Sequence, residues 1–343
     1  MKSLGRPESL KALQAALDTS ISIFDLLNEE IPERPWLLWP FLQACDIGMI
    51  SAETGLGKSY LALSFALAMV YGKSFLHFEP LKATGVLWIE GELLKGELQA
   101  RLRRLMAGMG EIPEPAPFRT LIQKNPAGGF PSLDKPAGQK IVEAVLKQNP
   151  ELEVVFLDSV SELCAMEDEN SISSWMQFNR WLGSLVAMGY TIILVHHANR
   201  GGDFRGSTAA NQTCSQHLHL TKISGSNEEG SCFKVQYQKK RGLADRLALK
   251  PYSLALVDPL GGDLMTSEAL AWERKELRSR NSKNELRDQI VELANGGMMS
   301  PEIIKTLEGK ATAPTIYGHI TKALADGSMT VDPRPGRWPK SVN

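Results

Sequence analysis

DIGMIS, AETGLGKS and KSYLALSFALAMV run into one another from Asp46 to Val70: an apolar strand-like run, a polar turn with two glycines, and a helix-forming run. A turn of the form [AG]xxxxGK[ST] in that setting wraps a phosphate, because N–H groups bared by glycine and the positive end of a helix converge on one point. Ala52, Glu53, Thr54, Gly55, Leu56, Gly57, Lys58, Ser59 and Tyr60 are the predicted nucleotide-binding set. Gly55 and Gly57 let the main chain approach the phosphates; Lys58 would bind the β- and γ-phosphates of ATP and Ser59 would hold Mg2+. Ala52 stands where glycine is commoner, and its side chain stays small.

From Asp46 onward short apolar runs alternate with amphipathic ones, which predicts an α/β domain with a mostly parallel sheet covered on both faces. The expected strands are DIGMIS, GVLWIE, FRTLIQ, LEVVFLD and YTIILVHH, with helices opening at Lys58, Lys95, Asp134 and Ser171. QHLHLTKIS, CFKVQYQKKR and YSLALVD read as strands joined by turns, an antiparallel extension. At 343 residues the chain has room for this domain and a smaller one. The expected layout is a leader at 1–34 for packing or subunit contact, the ATPase domain at 35–258, a charged helical linker at 259–283 and a small C-terminal domain at 284–343.

Carboxylates follow two of these strands. LEVVFLD ends in Asp158, placed as a Walker B ligand to Mg2+, and GVLWIE is followed by Glu92, the predicted base that orients the attacking water. Glu90 competes for that role but lies nearer the strand interior, and Glu92 has the rival reading of a helix cap. YTIILVHH ends in His196 and His197, one of which would sense the γ-phosphate. Arg205 in the loop after them, and Lys239 with Arg241 in QKKRG, are predicted to reach a neighbour's γ-phosphate across a subunit boundary; a solvated basic turn is the plainer alternative.

The net charge of −1 gives no whole-protein basic field, so any nucleic-acid contact must come from local patches. Four cysteines without a CxxC pair argue against a zinc site or a disulfide framework and predict a reduced, cytoplasmic setting. No run reaches the ~18 apolar residues of a membrane span, which predicts a soluble, unprocessed chain with no membrane partner.

AETGLGKS, WIEGEL, VVFLDS, LVHHANRGGDFRGS and QKKRG, in that order, resemble the RecA-superfamily ATPases of the plasmid RepA type, the hexameric replicative helicases, over residues 35–258. The resemblance implies a RecA-like P-loop fold and a homo-oligomeric ring, a hexamer, with ATP at subunit interfaces. Glu92 would be the catalytic base, Arg205, Lys239 and Arg241 would come from the neighbour, and single-stranded DNA would pass through the channel. Residues 159–171 and 199–206 would be the channel loops, yet SELCAMEDENS in the first is acidic and repels phosphate. The C-terminal segment resembles a winged helix, with Ser300–Pro301 opening a helix, ATAPTIYGHITKALADG supplying the second and VDPRPGRWPK the wing. Lys305, Lys310, His319, Lys322, Arg334, Arg337 and Lys340 would meet DNA, or the domain would dock a protein. The expected function is an ATP-hydrolysing DNA motor in replication of a plasmid, phage or other mobile element. An ATP-controlled regulatory or recombination-mediator protein is the alternative, and a nucleotide kinase is disfavoured for want of an arginine-rich lid.

Overall fold

The computed structural model describes residues 10, 13–14, 17–110, 114–126, 128–165, 172–198, 213–223, 232–240, 249–264, 266–276, 282–309, 311–329 and 332–334. The chain divides into two compact units, Met1–Lys250 with Leu254–Glu273, and Pro251–Ser253 with Arg274–Asn343.

The first unit is built on strands β1 (Trp36–Leu38), β2 (Leu42–Gln43), β3 (Ile47–Ala52), β4 (Gly85–Glu90), β5 (Phe118–Ile122), β6 (Leu152–Asp158), β7 (Thr191–His197), β8 (Gln216–Lys222) and β9 (Cys232–Lys240). With β10 (Tyr252–Val257) and β11 (Ala271–Glu276), the strands from β3 onward form one sheet in the order β11-β10-β9-β8-β3-β7-β6-β4-β5. β5, β4, β6, β7, β3 and β8 pair in parallel, and β9 joins β8 antiparallel. Every residue of β3 and β4 is buried, the continuous apolar run expected of strands covered on both faces.

Helix α1 (Ile23–Asn28) lies in the leader, capped by Ser22, whose hydroxyl accepts the N–H of Asp25 at 3.1 Å. Helix α2 (Lys58–Tyr71) follows the phosphate loop and is buried along nearly its whole length, from Leu61 to Tyr71. It stops at Gly72, whose left-handed φ of 57° would place a Cβ 2.9 Å from the N of Ala83, so only glycine fits. Helix α3 (Lys95–Gly108) is followed by α4 (Pro136–Gln148), which has proline in its first turn, then α5 (Val160–Leu163) and α6 (Ile172–Ala187). On one side of the sheet Met49, Leu157 and Leu194 join Val142, Trp175 and Phe178 in a single core. Along α2, Phe65 stands 5.5 Å from Phe41, 5.7 Å from Phe75 and 4.6 Å from Phe78, ring centre to ring centre.

The second unit contains helices α7 (Ser282–Asn295), α8 (Ser300–Thr306) and α9 (Ala313–Ala325). They close over Ile290, Ile303, Leu307, Ile316 and Ile320, and Arg287 pairs with Asp326. The carbonyl of Pro333 accepts the N–H of Ser300 at 2.9 Å, so the chain returns to the start of α8. The expected wing lies mostly outside the described residues, as do Lys310, Arg337 and Lys340.

The expected charged helical linker at 259–283 is corrected: Ala271–Glu276 is strand β11, the sheet continues past residue 258, and the helix starts only at Ser282. Trp272 supplies the reason. Its indole N–H donates to Ser64 Oγ at 2.9 Å, and its ring lies edge-on to Phe75 at 6.5 Å and Phe233 at 5.5 Å, contacts that outweigh the helical spacing of the neighbouring charges. A Phe65→Ala change should cost about 3–5 kcal/mol, read as a lower urea midpoint in the transition followed by tryptophan fluorescence.

Candidate functional site

Parallel pairing sets the site before any side chain is considered. Ala52 lies opposite His197 across β3 and β7, Glu90 opposite Asp158 across β4 and β6, and Asp158 opposite Val195 across β6 and β7. The carboxyl ends of four strands are therefore level, the edge where open α/β sheets hold ligands.

The phosphate loop leaves β3 at this edge. Gly55 and Gly57 have φ of 83° and 91°, the left-handed region that glycine enters without strain, and Gly57 brings no capping side chain to the start of α2. A Cβ built on Gly55 would meet nothing within 4 Å, so the loop keeps an open, amide-lined face. Lys58 is buried and its ammonium lies 2.8 Å from Nδ1 of His197. Burial lowers its pKa, while the negative charges of Glu92 and Asp158 pull the other way.

Asp158 is wholly buried at the tip of β6, and its pKa is pushed up to about 7, first by burial and then by the charge of Glu90. The Ser59 hydroxyl bonds to it and opposes that rise. Its Oδ1 has no hydrogen-bond partner. A divalent cation suits this pair: it would take the unpartnered oxygen and favour the ionised form. Ser59 and Asp158 fit Mg2+, and the open glycine loop fits the triphosphate that would carry it.

Glu90 and Glu92 behave oppositely. Glu90 is fully buried and spends its oxygens on the chain itself: Oε2 accepts the indole N–H of Trp88 at 3.1 Å, and Oε1 accepts the N–H groups of Glu92 and Leu93 at 2.8 and 2.9 Å. Burial is the main cause of its raised pKa. Glu92 faces the cradle. Its Oε1 accepts from His197 Nε2 at 3.0 Å and from Ser159 Oγ at 2.7 Å, and its pKa is held at about 2, first by the His197 hydrogen bond, with burial opposing and Ser159 adding to the fall. The cap of α3 is made instead by Glu97, whose Oε2 accepts the N–H of Leu94 at 2.8 Å.

Strand alternation separates the two histidines. His197 lies between Lys58 and Glu92, with Thr54 Oγ1 3.2 Å from its Nδ1. An ammonium can only donate, so Nδ1 accepts from Lys58 and Nε2 carries the proton given to Glu92. His196 points to the other side of the sheet, fully buried with its ring edge-on to Trp175 at 5.5 Å. The structure thus brings together Thr54, Lys58, Ser59, Glu92, Asp158 and His197, and leaves His196 out of the cradle.

Among the basic candidates, Arg205 and Arg241 lie outside the described residues. Lys239 on β9 stands opposite His217, whose β8 position is level with Met49, so it lies away from the edge that carries its own chain's cradle. Its neighbour Lys240 donates to the carbonyl of Pro40 and sits over the Trp36 ring at 4.7 Å. Two site residues were missed: Ser159, whose hydroxyl position no pattern in the sequence signals, and Lys124, which follows β5 and donates to the main-chain oxygen of Glu92 at 2.9 Å.

The family model described as AAA domain matches residues 11–203, more than half of the chain. The chain belongs to that family. Together with the phosphate loop and the mostly parallel sheet, membership makes it a RecA-superfamily P-loop ATPase, and the AAA domain match takes in the whole cradle from Ala52 to His197. None of the curated proteins matches it. Solved structures similar to it include one titled "ATPase Domain of G40P", 14% identical with a TM-score of 0.46, covering 76% of this chain and 98% of that one. Another is a KaiC-like protein of the archaeon Pyrococcus horikoshii OT3, 15% identical with a TM-score of 0.47, covering 70% of this chain and 99% of that one. Among the described residues no helix is long and apolar enough to cross a membrane.

The position of Asp158 predicts a pH dependence with a definite sign. A carboxyl that titrates near 7 folded, against an ordinary value of 3.8, opposes folding more as pH rises between those values and steadily above them. Without Mg2+, Asp158→Asn should raise the melting temperature at pH 8, and the gain should shrink towards zero as pH falls from 7 to 4, as followed by calorimetry.

Proposed function

We propose that this AAA-family ATPase is an oligomeric motor of the RepA-type replicative helicase group, acting on single-stranded DNA during replication of a plasmid, phage or other mobile element in the cytoplasm. The observation that carries the reading is Glu92: an ionised carboxylate fixed by Ser159 and His197 beside the phosphate loop. Ser59 and Asp158 would hold Mg2+, which when bound neutralises charge on the transferring phosphate. Lys58 binds the β- and γ-phosphates. Glu92 orients the attacking water by accepting its hydrogen bond, and its low pKa keeps it ionised at neutral pH. His197, rather than His196, is the sensor, since one ring touches both the lysine that grips phosphate and the base that serves it.

On this reading copies assemble in a hexameric ring, Arg205, Lys239 and Arg241 reach the γ-phosphate of a neighbour, and residues 199–206 face the channel; the expected first channel loop, 159–171, is corrected at its start, where Ser159, Val160, Leu163 and Cys164 are buried against the sheet. The segment 161–171 is acidic, which favours keeping a second reading: an ATP-controlled regulatory or recombination-mediator protein without unwinding activity. The C-terminal unit serves either one. Helix α9 carries no carboxylate before its C-cap, Asp326, and exposes Thr315, Tyr317, Thr321 and Lys322, a surface suited to a duplex groove if the segment is a winged helix.

Kinetics and strand displacement test the scheme. Glu92→Gln should lower kcat for ATP about 10²–10⁴-fold while ATP affinity stays within a few-fold, and Lys58→Ala should weaken nucleotide binding itself. Turnover that survives both changes would remove the site assignment. Unwinding of a forked duplex by the native chain, lost in Glu92→Gln, supports the motor; ATP-dependent DNA binding with no unwinding supports the mediator.

A further inference from the structure

Strand β9 ends at Lys240, whose ladder partner is Gln216 of β8. Paired residues share a face of the sheet and successive ones alternate. Lys239, opposite His217, therefore faces the side on which His217 meets Ser51, and Lys240 faces the side on which Gln216 Nε2 lies 3.5 Å from Asp46 Oδ2. Two adjacent cations are thus sent to opposite faces at the end of one strand.

The ammonium of Lys240 donates to the carbonyl of Pro40 and lies 4.7 Å from the centre of the Trp36 ring and 6.0 Å from that of Tyr237. Trp36 and Pro40 belong to the β1–β2 hairpin, which is itself held fast. Trp39 and Glu79 exchange main-chain hydrogen bonds at 2.9 Å, and fully buried Phe41 rests against Phe65 of α2 at 5.5 Å. A half-buried cation here is costly: burial pushes the pKa of Lys240 down to about 8, with the charge of Asp46 pulling it back. A methionine would cover Trp36 without that cost. What the cation adds is directional, one hydrogen bond and one ring contact that fix where the end of β9 lies.

We propose that Lys240 is a positioning residue: by clamping the last residue of β9 onto the β1–β2 hairpin of its own chain, it holds Lys239 and the segment that follows where they serve the phosphate of a neighbouring copy. The inference rests on the reading that Lys239 and Arg241 act across a subunit boundary, and it divides the run QKKRG by role. The middle cation is spent within its own chain and touches no nucleotide. Because the hairpin packs on Phe65 of α2, the helix that opens at the phosphate loop, the clamp ties the segment serving a neighbour's nucleotide to the element that holds the chain's own.

Mixing of full-length variants tests it, read by ATP turnover, nucleotide affinity and native mass spectrometry. Lys240→Met should bind ATP within a few-fold of the native affinity and assemble as the native chain does, yet lower kcat about 10–100-fold, the scale of loss when a group at the reacting site is misplaced by about 1 Å. Lys240→Arg keeps a cation and a donor and should restore most of that rate. Lys240→Met mixed with Glu92→Gln should turn over ATP faster than either alone, since a sound Glu92 site can then receive a sound basic segment from its neighbour. Unchanged kcat in Lys240→Met, a rate no better with arginine than with methionine, or a mixture no faster than the average of its parts would overturn the inference. Failure of Lys240→Met to bind ATP or to assemble would show a merely structural role and overturn it too. Lys239→Ala with Arg241→Ala, mixed with Glu92→Gln in the same way, separates the two levels. Complementation there but none with Lys240→Met removes the clamp alone; none in either removes the neighbour reading and the clamp with it.

Discussion

Burial of Lys58 is the constraint on which the site depends. An ammonium taken out of water loses hydration that its surroundings must replace, and here a histidine nitrogen and two carboxylates do so. None of these groups is near Lys58 in sequence. They reach it because four parallel strands end level with one another, so that the register of the sheet decides the electrostatics of the cradle. A one-residue slip of β7 would send His197 to the face where His196 now packs on Trp175, and the chain from lysine to base would be broken.

Much of this could be read from residues alone. The apolar runs of β3, β4, β6 and β7 are only six or seven residues long and bounded by turn residues, too short for helices, and the glycines of the phosphate loop fix its turn, so the sheet, the loop and the carboxylate at the tip of β6 were all legible. Pattern has less to say where partners are distant. HH says that one ring faces each side of the strand but not which side holds the cradle; that choice is made by α2 lying over one face and α6 over the other. Ser159 is a serine after a strand like many others until its hydroxyl is seen to share the Oε1 of Glu92. The stretch around Trp272 misleads for a related reason. Its charges repeat at helical spacing, whereas its conformation follows one indole seated between Phe75, Phe233 and Ser64.

Glu90 and Glu92 show how environment assigns work to identical side chains. Two residues apart, one is raised by burial and the other lowered by hydrogen bonds from His197 and Ser159. Each explains the other. By accepting the N–H groups of Glu92 and Leu93, Glu90 folds the chain back at the end of β4, and this turn presents the Glu92 side chain to β6 and β7 instead of letting it run on along the strand. Lys124 holds the same turn from its main-chain oxygen. The buried carboxylate is thus a support for the half-buried one, and a chemical role for Glu90 would require it to release two main-chain N–H groups and an indole. Removing its charge would disturb the position of Glu92 more than the supply of base, which is why a catalytic assignment by strand position alone cannot separate the pair and the hydrogen-bond geometry can.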